Sequence, residues 1–403
     1  MDRNIFDEEH EMFRDSVRSF FINEIQPHRD KWDEQEIVDR DAFLKAGEMG
    51  LLCMWADEKY GGAGVSDFRF EQIMLEENAR HGDVGFFIFL HNRLVGPYIG
   101  ELGTEEQKAR WLPKCVSGDN ILAIAMTEPG AGSDVSAIRT KAEDKGDHYL
   151  LNGSKTYISN GILADLVIVA ARTDPNNPHG LSLLVVERGM EGFERGRNLK
   201  KMGMHSQDTA ELFFNNVKEP KDNLLGEFNR GFYHLMHFLA EERLLSAVGS
   251  LANAEAAFAI TMEYADERKV FGKSISEYQV NRFKFADMRT EMDVCQAFID
   301  RCVMVHNEGK LTAEDAAKAK LYATELEDRV TDHCVQLHGG AGYMDEYQIS
   351  RMYTAARVSR IYAGSSEIMR EIVARSIGLD PRPVSYTHLT LPTIQHWCIS
   401  RWS

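Results

Sequence analysis

The 403-residue chain is short of several things, and each shortage excludes a class of protein. Positive charge is scarce: 46 Lys and Arg against 63 Asp and Glu leave a formal net charge of −17. A surface of that sign repels phosphates, which argues against nucleic acid and gives no footing on an anionic membrane. No apolar run approaches the roughly 20 residues of a membrane-spanning helix, so no integral membrane segment is expected. The start, MDRNIFDEEHEMF, lacks the basic and apolar regions of a signal or transit peptide. Cysteine is limited to six residues with no CxxC pair and no even framework, which predicts reduced thiols in a cytosol-like compartment. That points to a bacterial cytoplasm ahead of a mature mitochondrial matrix. His338, in the glycine-rich stretch near the C-terminal end, has no partner at ligand spacing, so no metal site is expected.

The last stretch, Val384 to Ser403 (VSYTHLTLPTIQHWCISRWS), differs in composition from the acidic, helix-favouring chain before it. It reads as a non-native appendage and is set aside from the fold.

Phe13, Val17, Phe20 and Phe21 fall at i, i+4, i+7 and i+8, the spacing of an amphipathic helix that ends near Pro27. Helices are also predicted around Asp41–Gly50, Phe68–Arg80 and Val84–Gly100. The glycines of Lys59–Gly64 match no phosphate-binding motif and read as a tight turn. From residue 121 the pattern turns to short apolar runs: 121–126, 149–152, 156–159, 166–171, 181–186 and 210–214. Gly, Asn, Asp and Pro separate them, as in an antiparallel β-domain. After Gly226 helical periodicity returns over 231–268, 276–308, 312–337 and 346–377, which suggests an antiparallel four-helix bundle. The prediction is an α+β chain, mainly α. It comprises an N-terminal helical domain (1–118), a middle antiparallel β-domain (119–226) and a C-terminal four-helix bundle (227–380).

The stretch Met126–Asp134, MTEPGAGSD, follows the apolar run 121–126 and carries Pro129, Gly130 and Gly132 between the hydroxyls of Thr127 and Ser133. Such a loop brings backbone N–H groups and short hydroxyls close to a ligand. Further on stand NGSKTYISNG (152–161), ERKVFGK (267–273) with Gln279, QLHGGAGY (336–343) and IYAGSSE (361–367). In this order the motifs resemble those of the acyl-CoA dehydrogenase family over nearly the whole chain to about Leu379, with the long-chain type nearest.

That resemblance implies FAD as cofactor. Met126, Thr127, Gly132 and Ser133 would line the flavin, with Ser133 also near the substrate thioester. Tyr157 would lie against the ring and Ser159 at its N5 edge. Both project to one side of an ideal strand. Arg268, Phe271 and Gln279, with Gln336, Gly339 and Gly340, would reach the pyrophosphate and ADP part of a neighbouring subunit's cofactor. Ser365 and Glu367 would complete the cofactor site, while Arg243, Tyr362 and Gly364 would contact the substrate. A cofactor shared between subunits makes the expected state a homotetramer, a dimer of dimers. An electron-transferring flavoprotein would reoxidise the flavin.

The base is the point of departure. Many family members carry Tyr-Glu-Gly-Thr near the C-terminus, and its Glu removes the α-proton; here the matching residues are Tyr362-Ala363-Gly364-Ser365. Alanine cannot take a proton, but the Ala363 N–H remains a donor for the thioester oxygen. Long-chain and isovaleryl members carry the Glu on an earlier helix, in an ERL segment, and Glu242 of Glu241-Glu242-Arg243-Leu244 matches it. Helical periodicity does not separate Glu241 from Glu242; only the resemblance selects Glu242. The expected activity is α,β-dehydrogenation of a saturated, medium- to long-chain acyl-CoA to the trans-2-enoyl-CoA. The alternatives are a short- or branched-chain, isovaleryl-type dehydrogenase, a flavin monooxygenase or oxidase, and a non-catalytic flavoprotein of the same superfamily.

Overall fold

A computed structural model describes residues 3–379; the suspected appendage from Val384 lies outside the described residues. Helices α1 (Glu8–Phe20), α2 (Arg29–Gln35), α3 (Asp41–Glu48), α4 (Phe68–His81), α5 (Gly96–Leu102) and α6 (Glu105–Ser117) form the N-terminal part. Asp7 and Thr104 open α1 and α6 with capping boxes that satisfy backbone donors at each N-terminus. The expected helix Val84–Gly100 is only partly helical. Its first residues form turns, and a π-helical segment, Leu90–Val95, leads into α5. At the Lys59–Gly64 turn, Gly61 takes φ 90°, and a Cβ on Gly62 would lie 2.0 Å from the Ala56 carbonyl oxygen.

The middle part is one eight-stranded sheet: β1 (Leu122–Ala125), β2 (Lys141–Asp144), β3 (His148–Ser159), β4 (Leu166–Arg172), β5 (Leu181–Glu187), β6 (Phe193–Asn198), β7 (Thr209–Pro220) and β8 (Leu224–Leu225). The order is β6-β7-β3-β2-β4-β5-β8, with β1 also on β4. The expectation of a purely antiparallel sheet needs correction, because β1 runs parallel to β4, Leu122 facing Leu166. The chain leaves β1 through the glycine loop and comes back by way of β2 and β3, so it re-enters beside β1 in the same direction. The predicted strands 149–152 and 156–159 are one strand, β3, with register shifts at 151/153 and 155/158. Strands β2 (KAED) and β6 (FERGRN) are too polar to read as strands by composition, since their pairing rather than their burial defines them.

The C-terminal part holds α7 (Gly231–Glu267), a small hairpin β9–β10 (Lys269–Val270 and Lys273–Ser274), α8 (Gln279–Asn307), α9 (Ala313–His338), α10 (Gln348–Ala356) and α11 (Ser366–Ser376). The predicted fourth helix, 346–377, is therefore two helices. Ala363 and Gly364 take left-handed φ values of 52° and 92°, which ends any continuous helix, and the Ser365 hydroxyl caps α11. Helix α7 is the axis of the molecule. Its Leu244, Leu245, Val248 and Leu251 pack with Phe68 and Leu75 of α4, Met292 of α8 and Leu326 of α9, while Leu235 and Phe238 join the core against the sheet. By length and composition α7 could cross a membrane, contrary to the reading of the apolar runs, but 67% of its most apolar window is buried in the fold. The five described cysteines are buried and free.

Candidate active site

Sequence could not separate Glu241 from Glu242, whereas tertiary packing gives them different neighbours. Glu241 sits between Arg93 Nε at 2.6 Å and His306 Nε2 at 2.8 Å. Glu242 points elsewhere and is 4% exposed. The Tyr98 phenol of α5 donates to its Oε1 at 3.3 Å, and Phe238, one turn earlier on α7, packs against Tyr98 with the rings tilted by 33° and their centroids 4.0 Å apart. Burial pushes the Glu242 carboxyl up to about 7; the Tyr98 bond and the Arg243 charge oppose that shift, and Glu241 adds to it. A buried carboxyl of raised proton affinity in an apolar wall is a candidate general base.

One turn after Glu242, Ser246 lies beside the Tyr362 phenol, which brings the Tyr362–Ser365 turn to the same face of α7. Tyr362 packs 6.4 Å from Phe87. Among the described residues, the Ala363 and Gly364 N–H groups donate to no protein acceptor. A half-buried pair of free donors suits an oxyanion. Arg243 is buried, its pKa is lowered by burial, and its Nε has no hydrogen-bond partner among the described residues.

The glycine loop is tied to β3 from below. Thr156 N donates to the Thr127 carbonyl at 2.9 Å. The wholly buried Lys155 ammonium bonds the Met126 carbonyl at 2.9 Å and the Glu128 carboxylate at 2.8 Å. That carboxylate also accepts from the Arg139 and Thr140 N–H groups. Met126 and Thr127 thus lie against the strand that carries Tyr157 and Ser159. Tyr157 has φ 59° at the register shift of β3, and its ring is 69% exposed. A Cβ added to Gly130 or Gly132 would meet nothing within 4 Å. Open loop, exposed ring and neighbouring hydroxyls fit a planar heterocycle such as a flavin.

Arg268, Phe271, Gln279, Gln336, Gly339 and Gly340 form a second group at the far end of the bundle. The ends of α7 and α9 meet there, where Tyr264 stacks on His338 at 4.2 Å and its hydroxyl donates to the His338 carbonyl. All six are exposed, Phe271 at 98%, and among the described residues Arg268 has no carboxylate within bridging distance. Open space surrounds Gly339 and Gly340. No hydrogen bond or salt bridge among the described residues joins this group to the Thr127–Tyr157 group. Ser365 serves as the cap of α11, and Glu367 is exposed in its first turn. The sequence reading missed Tyr98, Lys155 with Glu128, and the Lys320 ammonium that bonds the Gly364 carbonyl at 2.7 Å. These are long-range contacts with no local signal.

Family models match in three consecutive blocks: the acyl-CoA dehydrogenase N-terminal domain over residues 7–119, the middle domain over 123–217 and the C-terminal domain over 229–378. The chain belongs to the acyl-CoA dehydrogenase family. It is 47% identical to the mitochondrial long-chain specific acyl-CoA dehydrogenase of Mus musculus, over 94% of this chain and 88% of that protein. It is 36% identical to the mitochondrial isovaleryl-CoA dehydrogenase of Pongo abelii, over 94% and 90% respectively. Among solved structures, an acyl-CoA dehydrogenase from Geobacillus kaustophilus superposes with a TM-score of 0.92 at 49% identity, over 94% of this chain and 100% of that one. The family resemblance, the three-part fold, the FAD-dependent oxidoreductase class and acyl-CoA dehydrogenation expected from the motifs are thereby borne out.

Proposed function

We propose that this acyl-CoA dehydrogenase acts on medium- to long-chain saturated acyl-CoA thioesters, with Glu242 as the catalytic base and the Ala363 N–H as an oxyanion donor. The observation that carries the reading is the buried Glu242 carboxyl on the same helix face as the turn with free N–H groups. Glu242 takes the α-proton of the thioester onto a carboxylate oxygen. Bound FAD supplies the acceptor for the β-hydrogen as hydride. The Ala363 N–H stabilises the charge that grows on the thioester oxygen, the role for which a preorganised backbone donor is suited. Tyr98, Phe238 and Phe87 form apolar walls that keep water from the carboxylate and hold its proton affinity up. Glu241, held by Arg93 and His306, is the weaker candidate for the base.

Within the same reading, the Met126–Ser133 loop with Tyr157 and Ser159 holds the flavin ring. Arg268, Phe271, Gln279, Gln336, Gly339 and Gly340 serve the cofactor of a neighbouring subunit. Their exposure supports this, as do Phe283 at 59% and Tyr343 at 83%, apolar side chains that a second copy would cover. We read a homotetramer, domain boundaries near 118/119 and 226/227, an electron-transferring flavoprotein as oxidant and a bacterial cytoplasm as the compartment.

The test is an anaerobic titration of the yellow holoenzyme with palmitoyl-CoA. Wild type is expected to lose its visible flavin absorbance; Glu242→Gln is expected to keep it while still binding FAD and acyl-CoA. Native-rate bleaching of Glu242→Gln would move the base to Glu241 or elsewhere. Bleaching by isovaleryl-CoA but not palmitoyl-CoA would replace the long-chain reading with the branched one.

A further inference from the structure

Lys320 on α9 is 0% exposed, an unusual place for an ammonium. Burial and the neighbouring Arg243 charge both oppose its protonation, and Glu327 and Glu367 support it. Its one protein acceptor among the described residues is the Gly364 carbonyl at 2.7 Å, 44 residues along the chain. That carbonyl belongs to the turn Tyr362–Ser365, in which two consecutive residues are left-handed. For Ala363, which has a Cβ, that conformation is strained and persists only where surrounding contacts enforce it. Around the turn, Tyr362 lies beside Ser246, the Ser365 hydroxyl caps α11, and the Met369 methyl sits 2.6 Å from where a Gly364 Cβ would be. Among the described residues, Lys320 is the one side chain that hydrogen-bonds to the main chain of residues 362–365.

We propose that Lys320 is a positioning residue for the oxyanion donor: clamped on the Gly364 carbonyl, its buried ammonium holds the turn in the left-handed form that leaves the Ala363 N–H free for the thioester oxygen. The assignment rests on the dehydrogenase reading above, with Ala363 as donor. Lys320 hydrogen-bonds the Gly364 carbonyl, so it acts through the turn. An acyl chain gains nothing from it, whereas a developing enolate oxygen does.

The test compares wild-type holoenzyme with Lys320→Met in three measurements. The first is the single-turnover rate of flavin reduction by palmitoyl-CoA. The second is the pH at which a bound 3-oxoacyl-CoA ionises to its enolate, read by near-ultraviolet absorbance. The third is the affinity for a palmityl-CoA thioether, which has the chain and CoA but no carbonyl oxygen. With the turn loosened, reduction is expected to slow by about 10- to 100-fold, as misplaced groups commonly do. The bound 3-oxoacyl-CoA is expected to ionise only at higher pH, and the thioether to bind as tightly as to wild type. Wild-type reduction and ionisation in Lys320→Met would overturn the proposal. So would a loss of thioether affinity in proportion to the rate, which is the mark of a generally damaged pocket. If Lys320→Met purifies without flavin, Lys320→Gln, a neutral donor of shorter reach, is put through the same measurements. The selective pattern supports the clamp; wild-type behaviour or a second loss of flavin assigns Lys320 to the core and overturns it. Failure of the dehydrogenase reading itself shows in wild type first, as a holoenzyme that no acyl-CoA bleaches and that leaves the 3-oxoacyl-CoA un-ionised.

Discussion

The Tyr98 hydroxyl is the one hydrogen-bond partner of the Glu242 carboxyl among the described residues, and Tyr98→Phe removes it while leaving the ring against Phe238. A donor to a carboxylate favours the charged form and holds its pKa down, so its loss raises the pKa. The bond is 3.3 Å long. That is beyond the usual O–H···O range, so a value below the ordinary strength of bonds to charged groups applies, about 1 kcal/mol. Divided by 1.36 kcal/mol per pKa unit, this is a shift of about 0.7 unit. Glu242 starts near 7, with Arg243 pulling down and Glu241 pushing up from the same helix. A base must be ionised to act, so kcat/KM rises with pH through this pKa. In Tyr98→Phe the acid limb is expected to move to higher pH by that amount, with a loss of about fivefold well below the limb. The assay is kcat/KM with palmitoyl-CoA and an artificial electron acceptor across the pH range. An unmoved limb, or one displaced to lower pH, would refute Glu242 as the group that titrates there.

Other expectations concern stability. Burial raises the carboxyls of Glu71 and Glu219 to about 8, and of Glu327 to about 7 alongside Glu242. Groups raised in this way contribute stability that is complete below the unfolded pKa and is lost as pH rises through the folded one. The Tm should therefore fall between about pH 6.5 and 8, and a Tm that rises over that window would contradict the burial. Lys155→Met strands the Glu128 carboxylate under the glycine loop and should cost about 3 kcal/mol in urea unfolding, with partial recovery when Glu128→Gln is added. A Cβ on Gly203 would lie 2.4 Å from the Thr354 backbone where the loop before β7 meets α10. Gly203→Ala should thus lower stability by about 2 kcal/mol, read as a lower Tm.

Much of the architecture was legible because it repeats locally. The 3.6-residue periodicity of α7, α8 and α9 marked the bundle, and apolar runs bounded by Gly and Asn marked β1, β4 and β5. Reading failed where pairing or a single residue outweighed pattern. Polar β2 and β6 exist because neighbours bond them, and the helix expected over 346–377 is two, α10 ending at Ala356 and α11 starting at Ser366, with the left-handed Ala363 and Gly364 between them. Of the candidate site, the motif-bearing residues were named through the resemblance to the family. Tyr98, Lys155 and Lys320 were not, since each acts through a partner distant in sequence.

The sequence by itself determined the family, the three-part order of helices, sheet and helices, and the shortlist of two adjacent carboxylates, because these are written in local patterns and contiguous motifs. Only the tertiary structure gave those carboxylates different surroundings. Adjacent residues on a helix point about 100° apart, so one turns towards Arg93 and His306 and the other towards Tyr98 in an apolar wall. Desolvation depends on everything packed around a group, and no stretch of sequence carries that information.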